Sequence, residues 1–336
     1  MIRMWSTPMT ETPQTPSQPV YTESDTASFH SGFVCFVGRP NTGKSTLTNA
    51  LVGQKVAITS SKPQTTRHMI RGIVHRDDGH GHGAQLVIID TPGVSKPRAL
   101  LQERLNALVY GTWGEVDVIG VTLPANQRIG PGDAFLIGEI AKLPHRPALV
   151  ALATKSDLVS PERMAQHLLD IDRLQGRFGI RWEHIVPVSA LTGSQIDEVA
   201  DVLISLLPPG PAYYPDGEVS DEPTETLVAE LIREAALEEV RDELPHSLTV
   251  VVDEMMPRTG RPADQPLLNV FASMVVERES QKPIMVGHQG ERIKLIGTRA
   301  RHQISALLGT PVHLDLRVKV VRDWQRDAKK LNQLGF

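Results

Sequence analysis

The 336-residue chain has only one cysteine, Cys35. A single thiol excludes a disulfide framework and a multi-cysteine zinc site. Cys35 lies in the apolar run Phe33–Val37, where a free thiol is expected to be buried and structural. No apolar run approaches the ~18 residues of a membrane span. Positive charge is not in excess either: 35 Lys and Arg face 39 Asp and Glu, a net charge of −4. That excludes a uniformly basic nucleic-acid binder but leaves room for a local basic patch. No internal repeat is visible, so a tandem pair of similar domains is not expected. The remainder, 40% hydrophobic and 22% charged, is ordinary globular composition for about two domains. A soluble chain in a reducing compartment is expected.

Residues 1–31 are rich in Thr, Pro and Ser and lack the apolar stretch of a secretory signal. They bury too little surface to offset chain entropy and are expected to be a disordered tail, with Met4 and Met9 as alternative starts. From Phe33 onward, short apolar runs alternate with helical patterns. The runs are Phe33–Val37, Gln85–Ile89, Asp117–Leu123, Pro147–Ala153 and Ile185–Val188. The helical patterns are Ser45–Leu51, Gly132–Lys142, Pro161–Leu174 and Gln195–Leu206. This alternation predicts an α/β fold with a doubly wound, mostly parallel sheet over residues 32–208.

Pro208-Pro209-Gly210-Pro211 begins a linker expected over residues 209–225. Residues 226–330 have an α+β rhythm. A helix, Thr226–Glu243, precedes strands Leu248–Glu254 and Leu268–Glu277. A short helix, Lys282–Val286, leads to the loop Gly287-His288-Gln289-Gly290. A longer helix, Glu291–Leu308, and a strand, Val312–Val320, complete the unit. Residues 331–336 form a C-terminal tail. Charge is segregated inside this half: residues 226–277 carry an acidic surplus, whereas residues 278–336 hold 12 Lys and Arg against 5 Asp and Glu. Trp182, Trp324 and Phe336 are too scattered to predict a stacking platform.

Gly38-Arg39-Pro40-Asn41-Thr42-Gly43-Lys44-Ser45 matches the phosphate-loop pattern in full, after an apolar strand and before a helix. Its glycines let the backbone wrap phosphates, with N–H groups and the helix N-terminus pointing at the anion. Lys44 has the length to reach the β- and γ-phosphates, and Ser45 has a hydroxyl for Mg²⁺. Asp90-Thr91-Pro92-Gly93 follows a strand. Its acid is placed to hold Mg²⁺ through a water, and its glycine N–H to sense the γ-phosphate. One threonine of Lys62-Pro63-Gln64-Thr65-Thr66-Arg67 would complete the metal shell. In Thr154-Lys155-Ser156-Asp157, the aspartate would accept both N–H groups of guanine while Lys155 covers the purine face. Ser189-Ala190-Leu191 would offer a backbone N–H to the guanine oxygen.

Gly53–Ser60 with Pro63–His68, and Val276–Gly297 in the second half, make the chain similar to the Era family of bacterial ribosome-assembly GTPases. The resemblance spans about residues 32–334. It implies a GTPase domain followed by a type II KH domain. It implies slow hydrolysis of GTP to GDP, with Lys44, Thr66 and Gly93 central, and Mg²⁺ held by Ser45, Thr66 and Asp90. Val94 stands beside them in the nucleotide site, where many GTPases place a water-orienting glutamine. A monovalent cation, K⁺, is implied near Asn41. Lys282, Gly287, His288, Gln289, Gly290, Arg292 and Lys294 would bind the 3′ region of 16S ribosomal RNA on the 30S subunit. The family resemblance implies a cytoplasmic monomer with peripheral contact on the inner membrane face.

Two departures stand out. Thr154 replaces the usual Asn, so the amide that ties the base to the phosphate loop is expected to be lost. The Gly-His-Gln-Gly loop lacks the usual lysine, so the expectation is either a lower RNA affinity or that Arg292 and Lys294 take its load. Two other readings remain open from sequence: a nucleotide-gated RNA-binding scaffold with negligible hydrolysis, and a membrane-surface GTPase.

Overall fold

The computed structural model describes residues 29–60, 62, 66–77, 83–94, 97, 99–240, 244–262 and 264–336. Of the tail expected over residues 1–31, residues 1–28 lie outside the described residues, as does Thr65 as a metal candidate. His30 and Ser31, by contrast, begin the first strand, where Ser31 is buried. The first sheet has six strands: β1 (His30–Val37), β2 (Ile70–Asp77), β3 (Gly83–Asp90), β4 (Val118–Thr122), β5 (Ala148–Thr154) and β6 (His184–Val188). Their order is β2-β3-β1-β4-β5-β6, all parallel except β2, which pairs antiparallel with β3.

Alternation along each strand splits the core into two layers. Val34 and Phe36 of β1 face one way, against α1 (Lys44–Val52) and α5 (Ile196–Ser205). Cys35 and Val37 face the other way, against α2 (Leu100–Trp113), α3 (Pro131–Ala141) and α4 (Pro161–Phe178). A central strand buried on both faces must read as a continuous apolar run, which is why β1, β4 and β5 were visible in the sequence. Cys35 is fully buried, and burial pushes its thiol pKa upward, as befits an inert packing group.

The second half contains α6 (Thr224–Glu239), a four-residue helix α7 (Leu244–Ser247), and strands β7 (Thr249–Pro257) and β8 (Leu268–Val276). Helices α8 (Gln281–Val286) and α9 (Glu291–Leu308), strand β9 (Val312–Val320) and α10 (Ala328–Gln333) complete it. Its sheet runs β7-β8-β9, antiparallel then parallel. Helices α6 and α9 cover one face of this sheet, with Ile232, Ala236, Ile296, Ala300 and Ile304 buried against Val270, Ala272 and Met274.

Several features differ from the sequence reading. Strand β2 escapes it because its Arg71, Gly72, His75 and Arg76 interrupt an apolar pattern on an edge. Helix α2 also escapes it, although Leu101, Leu105, Val109 and Trp113 fall at helical spacing. Residues 211–221 lie along the first sheet: the backbone N–H groups of Tyr213 and Tyr214 donate to Gln85 Oε1. Arg71 pairs there with Asp221 at 3.1 Å. The C-terminal residues are packed too. Leu331 is buried, and the Phe336 ring stacks on Trp324 and on His68, with centroids 5.6 and 4.9 Å apart. Trp324 and Phe336, far from Trp182 in sequence, therefore do form a stack, but it joins the two halves inside the protein. Among the described residues, no helix is long and apolar enough to cross a membrane.

Candidate functional site

The loop between β1 and α1 lies at the carboxyl end of the parallel strands, where open α/β sheets place their ligands. Two glycines shape it for different reasons. Gly43 sits at φ +100°, in the left-handed region. Gly38 has no room for a side chain: a Cβ there would meet Thr122 Oγ1 at 2.1 Å. The Thr122 hydroxyl is also 2.7 Å from that of Thr42, which donates to the Arg39 carbonyl at 2.9 Å. The loop is thus braced from behind and leaves its front for an anion.

Asn41, Lys44, Ser45, Thr66 and Gly93 line one cleft. The Lys44 ammonium is buried and donates to the Gly38 and Arg39 carbonyls, at 3.0 Å each. Burial lowers its pKa to about 8, against a counter-pull from Asp90. Ser45 Oγ donates to Asp90 Oδ2 at 2.7 Å and lies 3.1 Å from Thr66 Oγ1, which reaches the same carboxylate oxygen at 3.3 Å. Burial raises the Asp90 pKa, opposed by Ser45, Lys44 and Thr66. Its Oδ1 is buried with no hydrogen-bond partner. A fully desolvated, unpartnered carboxylate oxygen is costly unless something occupies the space before it. Two hydroxyls beside a carboxylate form the hard-oxygen donor set of Mg²⁺, which takes its other ligands from phosphate and water. Among the described residues, no group of three or more His, Cys, Asp or Glu is placed to hold a metal.

Arg39 turns away from the cleft. Its guanidinium pairs with Asp133 of α3 at 2.7 Å and donates to Gln127, so only its backbone faces the loop. Pro40 packs beside Gly93, Thr91 and Pro92 are buried, and Val94 packs into the core rather than toward the cleft.

At the other side of the loop, Thr154 Oγ1 donates to the Thr42 carbonyl at 2.7 Å. A hydroxyl thus ties the guanine-side loop to the phosphate loop at the position where the family's amide is absent. Lys155, at φ 59°, donates from Nζ to the Asn41 carbonyl at 2.8 Å. Ser156 and Asp157 form a short 3₁₀ turn. Ser189 Oγ donates to Asp157 Oδ1 at 2.5 Å, so the two loops named from sequence meet. Ala190 is half-buried, and the Leu191 side chain is 82% exposed.

In the second half, the loop between α8 and α9 carries Gly287 and Gly290 at φ 75° and 80°, and Gln289 at 49°. A Cβ at Gly287 would come within 2.7 Å of Arg292 Cβ. Lys282, His288, Gln289 and Lys294 are exposed. Arg292 donates to the Ile284 carbonyl, so its guanidinium is partly committed to the loop itself. A groove runs beside the loop between α9 and β9, lined by Ile293, Lys294, Gly297, Thr298, Arg301 and His313 with two leucines. Arg301 and His313 were missed from sequence. The basic surplus of residues 278–336 was their only signal.

A phosphate loop with an adjoining metal-type oxygen cluster, joined to a glycine-loop α+β unit, defines a GTPase domain linked to a KH domain. A family model described as 50S ribosome-binding GTPase matches residues 33–155, and a KH-domain model matches residues 243–325. GTPase Era of Streptomyces coelicolor is 61% identical over 306 residues, covering 91% of this chain and 95% of that protein. The Mycolicibacterium smegmatis protein is 58% identical over 308 residues, covering 92% and 99%. A variant of Aquifex aeolicus Era bound to GDP·AlF₄⁻ superposes with a TM-score of 0.83 at 34% identity, covering 91% of this chain and 99% of that one. The same values hold for Era in complex with MgGDPNP and nucleotides 1506–1542 of 16S ribosomal RNA. The chain belongs to the Era family of GTPases.

Proposed function

We propose that this chain binds and hydrolyses GTP, binds the 3′ region of 16S ribosomal RNA through its KH half, and assists assembly of the 30S subunit. The carrying observation is the meeting of Lys44, Ser45 and Thr66 in one cleft, with the buried Asp90 hydrogen-bonded to Ser45 and Thr66, in a chain that also bears a KH domain. The solved relative holding a 16S RNA segment favours the small subunit over the large one named in the family description.

Lys44 would leave the Gly38 and Arg39 carbonyls for the β- and γ-phosphates, and the loop N–H groups would cradle them. Ser45, Thr66 and, through a water, Asp90 would hold Mg²⁺; the orphaned Oδ1 of Asp90 fits that arrangement. When bound, the ion supplies positive charge to the β- and γ-phosphate oxygens. Water attacks the γ-phosphorus, the bond to the bridging oxygen breaks, and the proton leaves on phosphate. Val94 packs in the core and orients no water, so slow intrinsic hydrolysis is expected. Gly93 N–H and Thr66 would lose their contacts with the γ-phosphate after the reaction. Lys155, Asp157 and the Ser189–Leu191 loop would read guanine.

On the RNA side, the glycine loop would admit the sugar-phosphate backbone, with bases seated in the groove between α9 and β9. Lys282, Lys294 and Arg301 would meet phosphates. We assign residues 30–208 to the GTPase unit, 209–223 to a connecting strap and 224–330 to the RNA-binding unit, two residues earlier at each start than the expected 32 and 226, which keeps β1 and α6 whole; the two separate sheets support this division. K⁺ is proposed beside Asn41, which is exposed at the cleft rim, and faster hydrolysis in K⁺ than in Na⁺ would support it. We place the chain in the cytoplasm as a monomer. Peripheral membrane contact would use the same basic residues, so liposome flotation with RNA as competitor separates the two uses.

The test is phosphate release with and without a 3′-terminal 16S RNA. Release no greater than that of Lys44→Ala would overturn the enzyme reading. Crosslinked RNA lacking small-subunit sequence would overturn the assembly role.

A further inference from the structure

The segment 55–68 connects α1 to β2 and contains Thr66. By chain it belongs to the GTPase half, yet the KH half grips it at both ends. Upstream, the buried Glu234 of α6 accepts from Thr59 N–H at 2.8 Å and from the Thr59 hydroxyl at 3.2 Å. Its other oxygen accepts from Lys55 and, at 3.1 Å, from Gln303 of α9. Ile58, between these residues, is buried within the KH core.

Downstream, Arg67 is 2% exposed. Its Nη1 donates to the Leu248 carbonyl at 2.7 Å, and its Nη2 donates to those of Pro245 and His246 at 3.0 and 2.7 Å. Those carbonyls lie on or directly after α7. The guanidinium sits 5.7 Å over the Trp324 ring, and Trp324 Nε1 donates to the Ser247 carbonyl at 3.2 Å. Five fixed donors on a planar cation match three convergent carbonyls, a geometry that an ammonium cannot copy.

Thr66 is the residue immediately before Arg67, its Cα only about 3.8 Å away. Its hydroxyl lies beside Ser45 and Asp90. We propose that Arg67 is a positioning residue that couples the GTP site to the RNA site, by fixing Thr66 relative to the KH half. If the KH half shifts when RNA binds, it either carries Arg67 with it or breaks three hydrogen bonds of a buried cation. Either outcome moves or releases Thr66. A ligand that holds Thr66 inward, a nucleotide with a γ-phosphate and its Mg²⁺, selects the same placement of the KH half. Thermodynamic linkage then requires RNA affinity to depend on which nucleotide is bound. Glu234 adds a second grip, and through Gln303 it touches the helix that borders the RNA groove.

The inference rests on the reading of Thr66 as a metal ligand and of the KH half as the RNA site. The experiment uses the full chain with Mg²⁺ and a 3′-terminal 16S oligonucleotide, whose Kd is measured with GDP and with a non-hydrolysable GTP analogue. The wild-type ratio of the two Kd values is expected to be at least about fivefold. In Arg67→Ala and Arg67→Lys the ratio is expected to collapse toward one, while the Kd with GDP stays close to wild type. Glu234→Gln is expected to give an intermediate ratio. A residue that merely held the fold together would lower the Tm and leave the ratio alone. A folded Arg67→Lys protein with the wild-type ratio would overturn the inference, as would a wild-type ratio of one. If Arg67→Ala does not fold, Arg67→Lys and Glu234→Gln decide. RNA failing to bind wild type with either nucleotide would overturn the reading of the KH half instead.

Discussion

Thr154 and Thr42 are joined by a 2.7 Å hydrogen bond between the hydroxyl of one and the carbonyl of the other, and both residues are buried. The bond ties the guanine-side loop to the phosphate loop. Removing it in Thr154→Ala leaves a buried carbonyl without its donor, at a cost of about 1–3 kcal/mol. The expected outcome is GDP affinity lower by about tenfold, measured by fluorescent-nucleotide titration. Thr154→Ser keeps the hydroxyl and is expected to stay near wild type. Equal affinities for Ala and wild type would show that the tie does not organise the site.

Lys44 connects nucleotide binding to protons. Its pKa in the free protein is lowered to about 8 by burial. Phosphate oxygens stabilise the charged form and raise it again. Binding therefore takes up a proton once pH exceeds that value, and GDP affinity falls by up to about tenfold per pH unit above it. Calorimetry in two buffers of different ionisation enthalpy reads the uptake directly. Lys44→Met is expected to bind weakly and without this proton uptake.

Glu230 and Arg233 form a buried pair one turn apart on α6, with contacts of 2.9 and 2.6 Å. Burial pushes the Glu230 pKa up, but Arg233, with help from His68 and Arg67, pulls it below its ordinary value. A depressed carboxylate contributes stability in full above its ordinary value of 4.5, and that contribution is lost as pH falls through the folded value. Glu230→Gln strips Arg233 of a buried counter-charge and is expected to cost about 3–5 kcal/mol in urea unfolding near pH 7. The mutational penalty should shrink in acid.

Lys294 and Arg301 border the groove beside the glycine loop. If each meets a phosphate, its removal lowers RNA affinity and reduces the slope of log K against log salt by about 0.7 for a single strand. Arg301→Ala is the sharper test, because nothing in its local sequence marks it. An unchanged salt slope in both variants would move the RNA contact elsewhere.

Much of this was legible from residues alone. Central strands appear as apolar runs because helices cover both faces, and the phosphate loop is identifiable because its chemistry demands fixed spacing. Lys44, Ser45, Thr66 and Asp90, spread over 47 residues of sequence, do meet in space. What sequence hides is contact between distant segments. The bond from Thr154 to the Thr42 carbonyl joins residues 112 apart in sequence and could not be read from either. Trp324 and Phe336 looked isolated until His68 and Arg67 arrived between the two halves. Edge strand β2 was hidden because Arg71, His75 and Arg76 interrupt its apolar pattern, and the segment that covers Arg71 and His75 is more than 140 residues away in sequence.

Ile58 lies among the side chains of the second sheet and its helices, although its chain neighbours fold with the first. A fragment ending near residue 208 would expose Ile58, Arg67 and His68 to water, and a fragment beginning near 226 would open a gap in its own interior. The boundary along the polymer and the boundary in space therefore do not coincide. Pieces cut from this protein would be incomplete modules, each missing part of the other, and properties measured on one alone would describe a different object from the intact chain.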